Sequence, residues 1–374
     1  MRFTAASVAL GTTVALLLSA CGSGDDDSGS TADSSGGGSA DVAAAKEFIA
    51  DYVGQPSPFP IDTPLAKSPA GKRIAYMDCG TPICGLFYQL AQPPAEALGM
   101  ELTRIDTGLS ADTVATAFDT VVSGGYDGVF VPAIPTQLWE SGLDALAEAG
   151  IPVATSGVVG GDPAKIGVRQ VSEIQAKTAG ELLAAYVVAE NGDDTNAVVY
   201  QTPELQFTSV IWDAFEGKMK ELCGGCSVRT ADVPAATFGT RSPSVIVDDL
   251  QAHPDTKTVV FAIAEQAGGL PAALDTAGLD VETIGNSPDP AALEQIQSGD
   301  MAAGLGLDLP VVAWTVVDSL ARLTTGQEPA PGAVADQPPM QFLTAEELKG
   351  DVSQGWTGYP DFAERFTALW KSAA

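Results

Sequence analysis

The chain has 374 residues, of which 45% are hydrophobic, a composition typical of a folded protein with room for two domains rather than of a disordered chain. It carries 48 acidic against 18 basic residues and a formal net charge of −30 at pH 7. A field of this sign repels phosphate groups, so we expect no nucleic-acid partner.

The N-terminus has the pattern of a bacterial export signal that ends at a lipid-modified cysteine. Arg2 precedes an apolar run over residues 8–18, and the small pair at 19–20 suits a signal peptidase. The run is too short to remain as a membrane-spanning helix. The pattern resembles a lipobox, and it predicts a signal peptide over residues 1–20 and a diacylglycerol-modified Cys21 on the outer face of the cell membrane. An ordinary secreted protein is the alternative.

The next segments are predicted to lead from the membrane to the main fold. Residues 22–40 are mostly Gly, Ser and Asp, which bury too little apolar surface to fold, so Cys21 and this stretch form a lipidated, flexible linker. A helix is predicted over residues 40–52, and prolines from Pro56 to Pro64 end it. Residues 41–71 are thus an N-terminal helix and a proline-rich lead-in.

From residue 72 onward, short apolar runs alternate with longer amphipathic stretches, the pattern of parallel strands connected by helices. A break in this series near residues 156–166 indicates two doubly wound α/β domains, with ligands expected in the cleft where their strands end. Strands are predicted at 73–77, 102–105, 128–131, 153–155, 197–200, 227–233, 259–263, 282–284 and 304–307, and helices include 86–98, 111–122, 136–149, 172–189, 207–222, 271–277, 313–323 and 362–371.

Four further cysteines fall in two close pairs, Cys79 with Cys84 and Cys223 with Cys226. Outside the cytoplasm such pairs favour disulfides. A redox role for the second pair is less favoured, because redox motifs open a helix after a strand whereas this pair follows a predicted helix. Free thiols are the remaining possibility. The sole histidine, His253, is remote from both pairs, which disfavours zinc.

Several stretches, taken in order, resemble the type I periplasmic binding proteins, in particular the ribose-binding-protein-like sugar group that supplies ABC transporters. The resemblance extends from about residue 72 to 326. It is carried by RIAYM at 73–77, TPIC at 81–84, GGYDGVFVP at 124–132, AEAGIPV at 147–153, VVFAIAE at 259–265, TIGNS at 283–287 and DLP at 308–310.

This resemblance implies two doubly wound parallel-sheet lobes joined by a hinge of three crossovers. The N-terminal lobe would comprise residues 72–156 and 309–374, and the C-terminal lobe residues 157–308. The lobes would close on a small solute, and an ABC transporter permease would recognise the closed form. The family implies a monomer that needs no cofactor. A surface lipoprotein that senses a ligand for a signalling partner is the alternative.

The resemblance also assigns the ligand contacts. The family makes a sugar the first expectation. Because Ile211 stands where the family often has a sugar-binding Arg, a polyol, an amine-bearing solute or a more apolar solute stays open. Two carboxylates in one cleft would accept bonds from hydroxyl groups or pair with a cation. The positions are Thr81, Gln137, Ser156, Phe238, Glu265, Ser287 and Asp308.

The sequence contains none of the common catalytic motifs. It has no Gly-x-Ser-x-Gly elbow, no phosphate-binding loop with Lys and no His-Glu-x-x-His. His253 precedes a proline in a predicted turn, where a solvated side chain is the simplest interpretation. We therefore expect a binding protein rather than an enzyme. Hydrolysis by a carboxylate pair of Glu265 and Asp308 is the less favoured alternative.

Overall fold

The computed structural model describes residues 39–56, 59–353 and 355–371. The predicted signal peptide, Cys21 and nearly all of the linker lie outside the described residues. Within the described ranges, none of the helices is both long and apolar enough to cross a bilayer.

The first sheet has five parallel strands in the order β2-β1-β3-β4-β5. The central strand β3 is a nearly continuous apolar run, and all five of its residues are buried, as expected for a parallel strand covered on both faces. Helix α10 packs across β3, β4 and β5 and against α2. The elements are β1 (Arg73–Asp78), α2 (Pro82–Ala97), β2 (Glu101–Asp106), α3 (Ala111–Ser123), β3 (Gly128–Pro132), α4 (Glu140–Glu148), β4 (Val153–Ser156), β5 (Val168–Gln170), α10 (Leu309–Thr324) and the short α11 (Pro331–Val334) beside β5.

The second sheet has six strands in the order β11-β10-β9-β8-β6-β7, and all its pairs are parallel except β10 with β11. Helices α5 and α6 pack closely against each other. The elements are α5 (Glu173–Asn191), β6 (Asn196–Gln201), α6 (Phe207–Leu222), β7 (Ser227–Asp232), α7 (Ser242–Ala252), β8 (Thr258–Phe261), α8 (Leu270–Ala277), β9 (Glu282–Asn286), α9 (Pro290–Ser298), β10 (Ala303–Leu307) and β11 (Met340–Leu343).

The predicted fold class is confirmed, because two parallel-dominated α/β sheets form two lobes. The sheets divide the chain differently from the predicted lobe boundaries, however. Strand β5 belongs to the first sheet although residues 157–308 were predicted to form the second lobe, and β11 belongs to the second sheet although 309–374 was assigned to the first. Both are strands of three or four residues, too short for a periodic signal.

The N-terminal segment contacts both lobes. Helix α1 (Val42–Ile49) packs against α5 and α6, and the Asp41 N–H donates to the Leu222 carbonyl at 2.8 Å. Further along, the Leu65 N–H donates to the Leu369 carbonyl at 3.0 Å, beside the first lobe. The chain crosses between the sheets after β5, between β10 and α10, and between α10 and β11, and we call these crossovers the hinge. The N-terminal segment adds a further connection between the lobes.

The C-terminal segment also contacts both lobes. Leu348 and Val352 belong to the apolar core of the second sheet, whereas α12 (Phe362–Trp370) packs on α10. Trp370 stacks on Trp314 with ring centroids 5.4 Å apart. The helix predicted over residues 362–371 is therefore present, and it packs on the first lobe as expected.

A buried ion pair fixes α12 to α10. The Arg322 Nε lies 2.7 Å from Asp318 Oδ2, both side chains are at most 3% exposed, and the Trp370 Nε1–H donates to Asp318 Oδ1 at 2.8 Å. The Arg322 guanidinium also donates to the Thr63 carbonyl at 2.6 Å, which ties the N-terminal segment to the same pair. Every charged atom of the pair therefore has a partner.

We predict that Asp318→Ala lowers the free energy of unfolding by about 3–5 kcal/mol, because it leaves the buried guanidinium without a counter-charge. Urea denaturation followed by tryptophan fluorescence measures the loss. Asp361→Ala is the matched control, since Asp361 forms the same i,i+4 carboxylate–arginine pair with Arg365 at an exposed site. Equal effects of the two substitutions would contradict this account.

Candidate ligand-binding cleft

The carboxyl ends of strands from both sheets face a common cavity, which we call the inner cavity. It has an accessible volume of about 40 Å³. Ends of parallel strands are the usual ligand site of such sheets, because loops there are free to vary. The lining residues are Ile83, Cys84, Phe87, Pro132, Ala133, Ser156, Gly157, Val171, Gln175, Phe207, Ile263, Asn286, Ser287, Leu307 and Leu309.

The inner cavity is predominantly apolar. Of its fifteen described lining residues, four have polar uncharged side chains, namely Ser156, Gln175, Asn286 and Ser287, and none is charged. Phe87 from α2 and Phe207 at the start of α6 bring one aromatic ring from each lobe. Burial of apolar ligand surface is therefore the main contribution that this cavity makes to binding.

Asn286 contributes to the inner cavity's lining and has a side-chain oxygen without a hydrogen-bond partner among the described residues. Its side chain is 3% exposed, and its Nδ2 donates to the Ala262 carbonyl at 3.1 Å. This bond fixes the amide orientation and leaves Oδ1 as an acceptor, which is buried and has no partner among the described residues. An unpaired buried acceptor costs about 1–3 kcal/mol, which a ligand donor would recover.

The backbone is strained around the same cavity. Four non-glycine residues of the described chain have positive φ, and three of them, Ala133 (47°), Val171 (56°) and Ser287 (51°), line the inner cavity. Such a φ is uncommon, and for the β-branched Val171 it is an outlier. Asp336 accepts from the Ser172 N–H at 3.0 Å and so holds the chain beside Val171. Strain of this kind clusters at ligand sites.

A second cavity, which we call the outer chamber, adjoins the first through the shared residues Ile83, Ile263 and Ser287. Its volume is about 300 Å³, and it contains the carboxyl groups of Glu265 and Asp289. Lys, Arg and His are absent from its described lining. The outer chamber is therefore a negatively charged region next to an apolar one.

Glu265 is held in an unfavourable environment. Both of its carboxylate oxygens are buried and lack a hydrogen-bond partner among the described residues. Burial, with a smaller contribution from the charge of Asp289, raises the pKa of Glu265 to about 7. Asp289 instead caps α9, accepting from the Ala292 N–H at 2.9 Å, although burial still raises its pKa.

The structure brings three of the seven predicted ligand residues to these cavities. Ser156 lines the inner cavity, Glu265 lines the outer chamber and Ser287 lines both. Their side chains sit at or just beyond the ends of β4, β8 and β9, where sheet topology predicts ligand groups.

Three other predicted residues lie away from both cavities. The Thr81 Oγ1 is 3.1 Å from Cys79 Sγ at the start of α2, and Gln137 is exposed on the 3₁₀ turn Thr136–Leu138. Phe238 follows the 3₁₀ turn Ala235–Thr237 and packs, partly buried, against the core of the second lobe.

Asp308 also differs from its predicted role. It is fully buried at the N-terminus of α10, where Oδ1 accepts from the Val311 N–H at 3.1 Å and Oδ2 accepts from the Thr357 hydroxyl and the Gly358 N–H, each at 2.9 Å. Asp308 lines neither cavity. Its carboxylate is thus occupied by the protein itself, and the pairing of Glu265 with Asp308 in one cleft is not present.

Both predicted disulfides are present in the structure. Cys79 and Cys84 have Cα atoms 5.8 Å apart, and Cys84 lines the inner cavity. This bridge joins the end of β1 to the first turn of α2 and so restrains the turn that carries Ile83. Cys223 and Cys226, with Cα atoms 5.4 Å apart, join the end of α6 to the start of β7. They lie at the opposite end of α6 from Phe207, which lines the inner cavity.

Sequence reasoning missed Asn286, Asp289 and Phe87 as site residues. Asn286 had a usable signal, since it is the polar residue that ends the apolar strand β9. Asp289 precedes Pro290 at a helix start, a pattern that indicates a cap rather than a ligand contact. Phe87 falls on an amphipathic helix, where an aromatic residue is ordinarily part of the core.

Comparison with known proteins identifies the fold. The family model for the periplasmic binding protein domain matches residues 85–328. No curated protein sequence matches the chain.

Solved structures of the same fold include proteins of several transporters. An ABC sugar transporter subunit from Rhodobacter sphaeroides has a TM-score of 0.64 at 19% identity, covering 74% of this chain and 99% of its own. A solute-binding protein from Bacillus halodurans with bound myo-inositol has a TM-score of 0.65 at 16% identity, covering 82% and 100%. A 5-methylthioribose transporter protein from Thermotoga lettingae has a TM-score of 0.66 at 15% identity, covering 79% and 98%.

The raised pKa of Glu265 predicts a pH-dependent stability. The folded state disfavours the ionised form of Glu265. The protein is therefore most stable below about pH 4.5, where this carboxyl is protonated in both states, and it loses stability as the pH rises to about 7. The shift from 4.5 to about 7 corresponds to about 3 kcal/mol. We therefore expect Glu265→Gln to be more stable than the wild type by up to about 3 kcal/mol at pH 8 and equally stable at pH 4.5.

Urea denaturation at the two pH values tests this prediction. Glu294→Gln, an exposed change of the same chemistry on α9, controls for the loss of one negative charge and should show no comparable pH dependence. The same stability difference for Glu265→Gln at both pH values would mean that Glu265 does not titrate in this range.

Proposed function

Because the chain belongs to the periplasmic binding protein family, we propose that it is the solute-binding protein of an ABC importer, which captures a small solute between its lobes and delivers it to a membrane permease. The observation that carries this proposal is that residues of both lobes line one cavity with an unsatisfied acceptor, Asn286 Oδ1. Contacts from both lobes exist together only in the closed state, so the solute stabilises closure.

The proposed location is the outer face of the cell membrane, with a lipid on Cys21 as the anchor and the protein acting as a monomer. The export signal and the Gly- and Ser-rich linker in the sequence support this proposal. Two acyl chains anchor stably where one does not. Holding the binding domain near the membrane by a flexible linker would raise its effective concentration at the permease.

The proposal requires no covalent step. The family consists of solute-binding proteins rather than enzymes. Glu265 and Asp308, the two carboxylates considered for hydrolysis, have different surroundings, since Asp308 is bonded within the hinge. The described cleft therefore supports binding and release.

We predict that a transported solute both compacts and stabilises the protein. Small-angle scattering should show a smaller radius of gyration on binding, and thermal unfolding should report a stabilisation of about 2.7 kcal/mol at a hundredfold excess over Kd.

Phe207→Ala should weaken binding at least about tenfold, because the ring lines the inner cavity. Phe238→Ala, which removes the same ring from the second-lobe core, should lower stability and leave affinity unchanged.

Uptake measurements separate transport from sensing. Deletion of the gene should abolish uptake of the solute that binds, and restoring the wild-type gene should recover it. If uptake persists while a transcriptional response to the solute disappears, the protein is a sensor and the transport proposal fails.

A further inference from the structure

We propose that the solute is a small cationic amine with an apolar body, whose ammonium group pairs with Glu265 in the outer chamber and whose other end donates a hydrogen bond to Asn286 Oδ1. This inference rests on the proposed function and names the class of solute that the same cleft accepts. It follows from three features of the cleft, which are the apolar lining, the unpaired Asn286 Oδ1 and the unpaired carboxylate of Glu265 beside Asp289.

The inner cavity is poorly suited to a sugar ring. A buried hydroxyl without a partner costs about as much as a lost hydrogen bond, so polyhydroxy ligands need many polar groups around them. The cavity has four polar side chains, of which Asn286 Nδ2 is bonded to Ala262 and Gln175 Nε2 donates to Met340 Sδ at 3.1 Å. Besides the amide oxygens, the hydroxyls of Ser156 and Ser287 are then the polar groups left for a sugar, fewer than its ring of hydroxyls requires. Rings and aliphatic side chains such as Phe87, Phe207 and Leu309 make up most of the wall. An apolar body matches this lining.

Asn286 specifies one donor at the inner end of the solute. Its Nδ2–H bond to Ala262 prevents the amide from presenting its donor instead, so Oδ1 accepts only. A phenol, alcohol or N–H group satisfies it, whereas an ether, a carboxylate or a bare hydrocarbon does not. Because Asn286 is 3% exposed, a mismatched ligand leaves the acceptor unpaired in a dry site.

Glu265 specifies a positive charge at the outer end. Its two oxygens are buried, have no hydrogen-bond partner among the described residues and form none of the described salt bridges. Asp289 adds a second negative charge to the same chamber. An ammonium group placed there donates up to three bonds and favours ionisation of Glu265.

The charge of the cleft disfavours anionic solutes. Glu265 and Asp289 line the outer chamber, the described lining of the inner cavity has no charged residue, and neither described lining contains Lys, Arg or His. The whole chain carries a net charge of −30, whose field attracts cations to the surface. Carboxylate and phosphate ligands would meet repulsion without a compensating donor.

Four related compounds test each end of the solute separately. Tyramine carries both the phenol donor and the ammonium group, phenethylamine lacks the donor, and 2-(4-hydroxyphenyl)ethanol lacks the charge. The fourth compound, 4-hydroxyphenylacetate, reverses the charge. Isothermal titration of the purified protein at pH 8 gives each affinity, and D-ribose and myo-inositol are titrated alongside as sugar-class probes.

We expect tyramine to bind at least about tenfold more tightly than phenethylamine and at least about tenfold more tightly than the neutral alcohol, with no binding of the carboxylate. Glu265→Gln should reduce the preference for tyramine over the alcohol to about one, mainly by weakening the binding of tyramine at least about tenfold. Glu294→Gln, which removes an exposed charge on α9, should keep the preference. Asn286→Leu should instead remove the preference for tyramine over phenethylamine.

Several outcomes would overturn this inference, and they separate its failure from that of the proposed function. Binding of ribose or inositol with compaction, and no response to tyramine, would overturn the amine class while leaving solute capture intact. Equal affinity for tyramine and the neutral alcohol in the wild type would overturn the role of Glu265. Failure of all six compounds would also overturn the amine class. If a fractionated cell extract likewise produced no compaction, solute capture itself would fail.

Discussion

The carboxylate of Asp308 is the interaction on which the arrangement of the lobes depends. It stands where the chain passes from β10 to α10, caps that helix through Val311 and accepts from Thr357 and Gly358 of the C-terminal segment. The Gly358 carbonyl in turn accepts from Gln55 Nε2 at 2.7 Å, which adds the N-terminal segment. Burial raises the pKa of Asp308 to about 6, and the three donors offset part of that cost. One buried carboxylate therefore joins the hinge helix to both terminal segments.

The large elements of the fold were predictable from the sequence because their signals are local. Runs such as β3 and β8 are short, apolar and flanked by helices of ordinary length, which defines parallel α/β architecture. Strands β5 and β11 were not predictable in the same way, since three or four residues carry no period and their place is set by pairing with β4 and β10. The lobe boundaries depend on these two pairings, so they required the structure.

The candidate site was predictable only in part, for a different physical reason. Position at a strand end is a sequence property, and it correctly located Ser156, Glu265 and Ser287 beside the cavities. What a side chain does there depends on its neighbours. Asp308 and Glu265 are both acidic residues after apolar strands. Asp308 accepts hydrogen bonds from a segment some fifty residues further along, whereas no described residue donates to Glu265. Long-range hydrogen bonds of this kind leave no local pattern.

The same comparison explains how the cleft can favour ligand binding. Around the hinge, the Asp308 carboxylate and the Asp318–Arg322 pair have their bonds completed by the protein. At the cleft, Asn286 Oδ1 and the Glu265 carboxylate have no hydrogen-bond partner in the part of the chain that the structure describes, and Val171 and Ser287 are held at strained φ angles. The satisfied hinge stabilises the fold sufficiently to maintain these unfavourable groups. A solute that completes their bonds recovers free energy only when both lobes surround it, and this difference couples binding to closure.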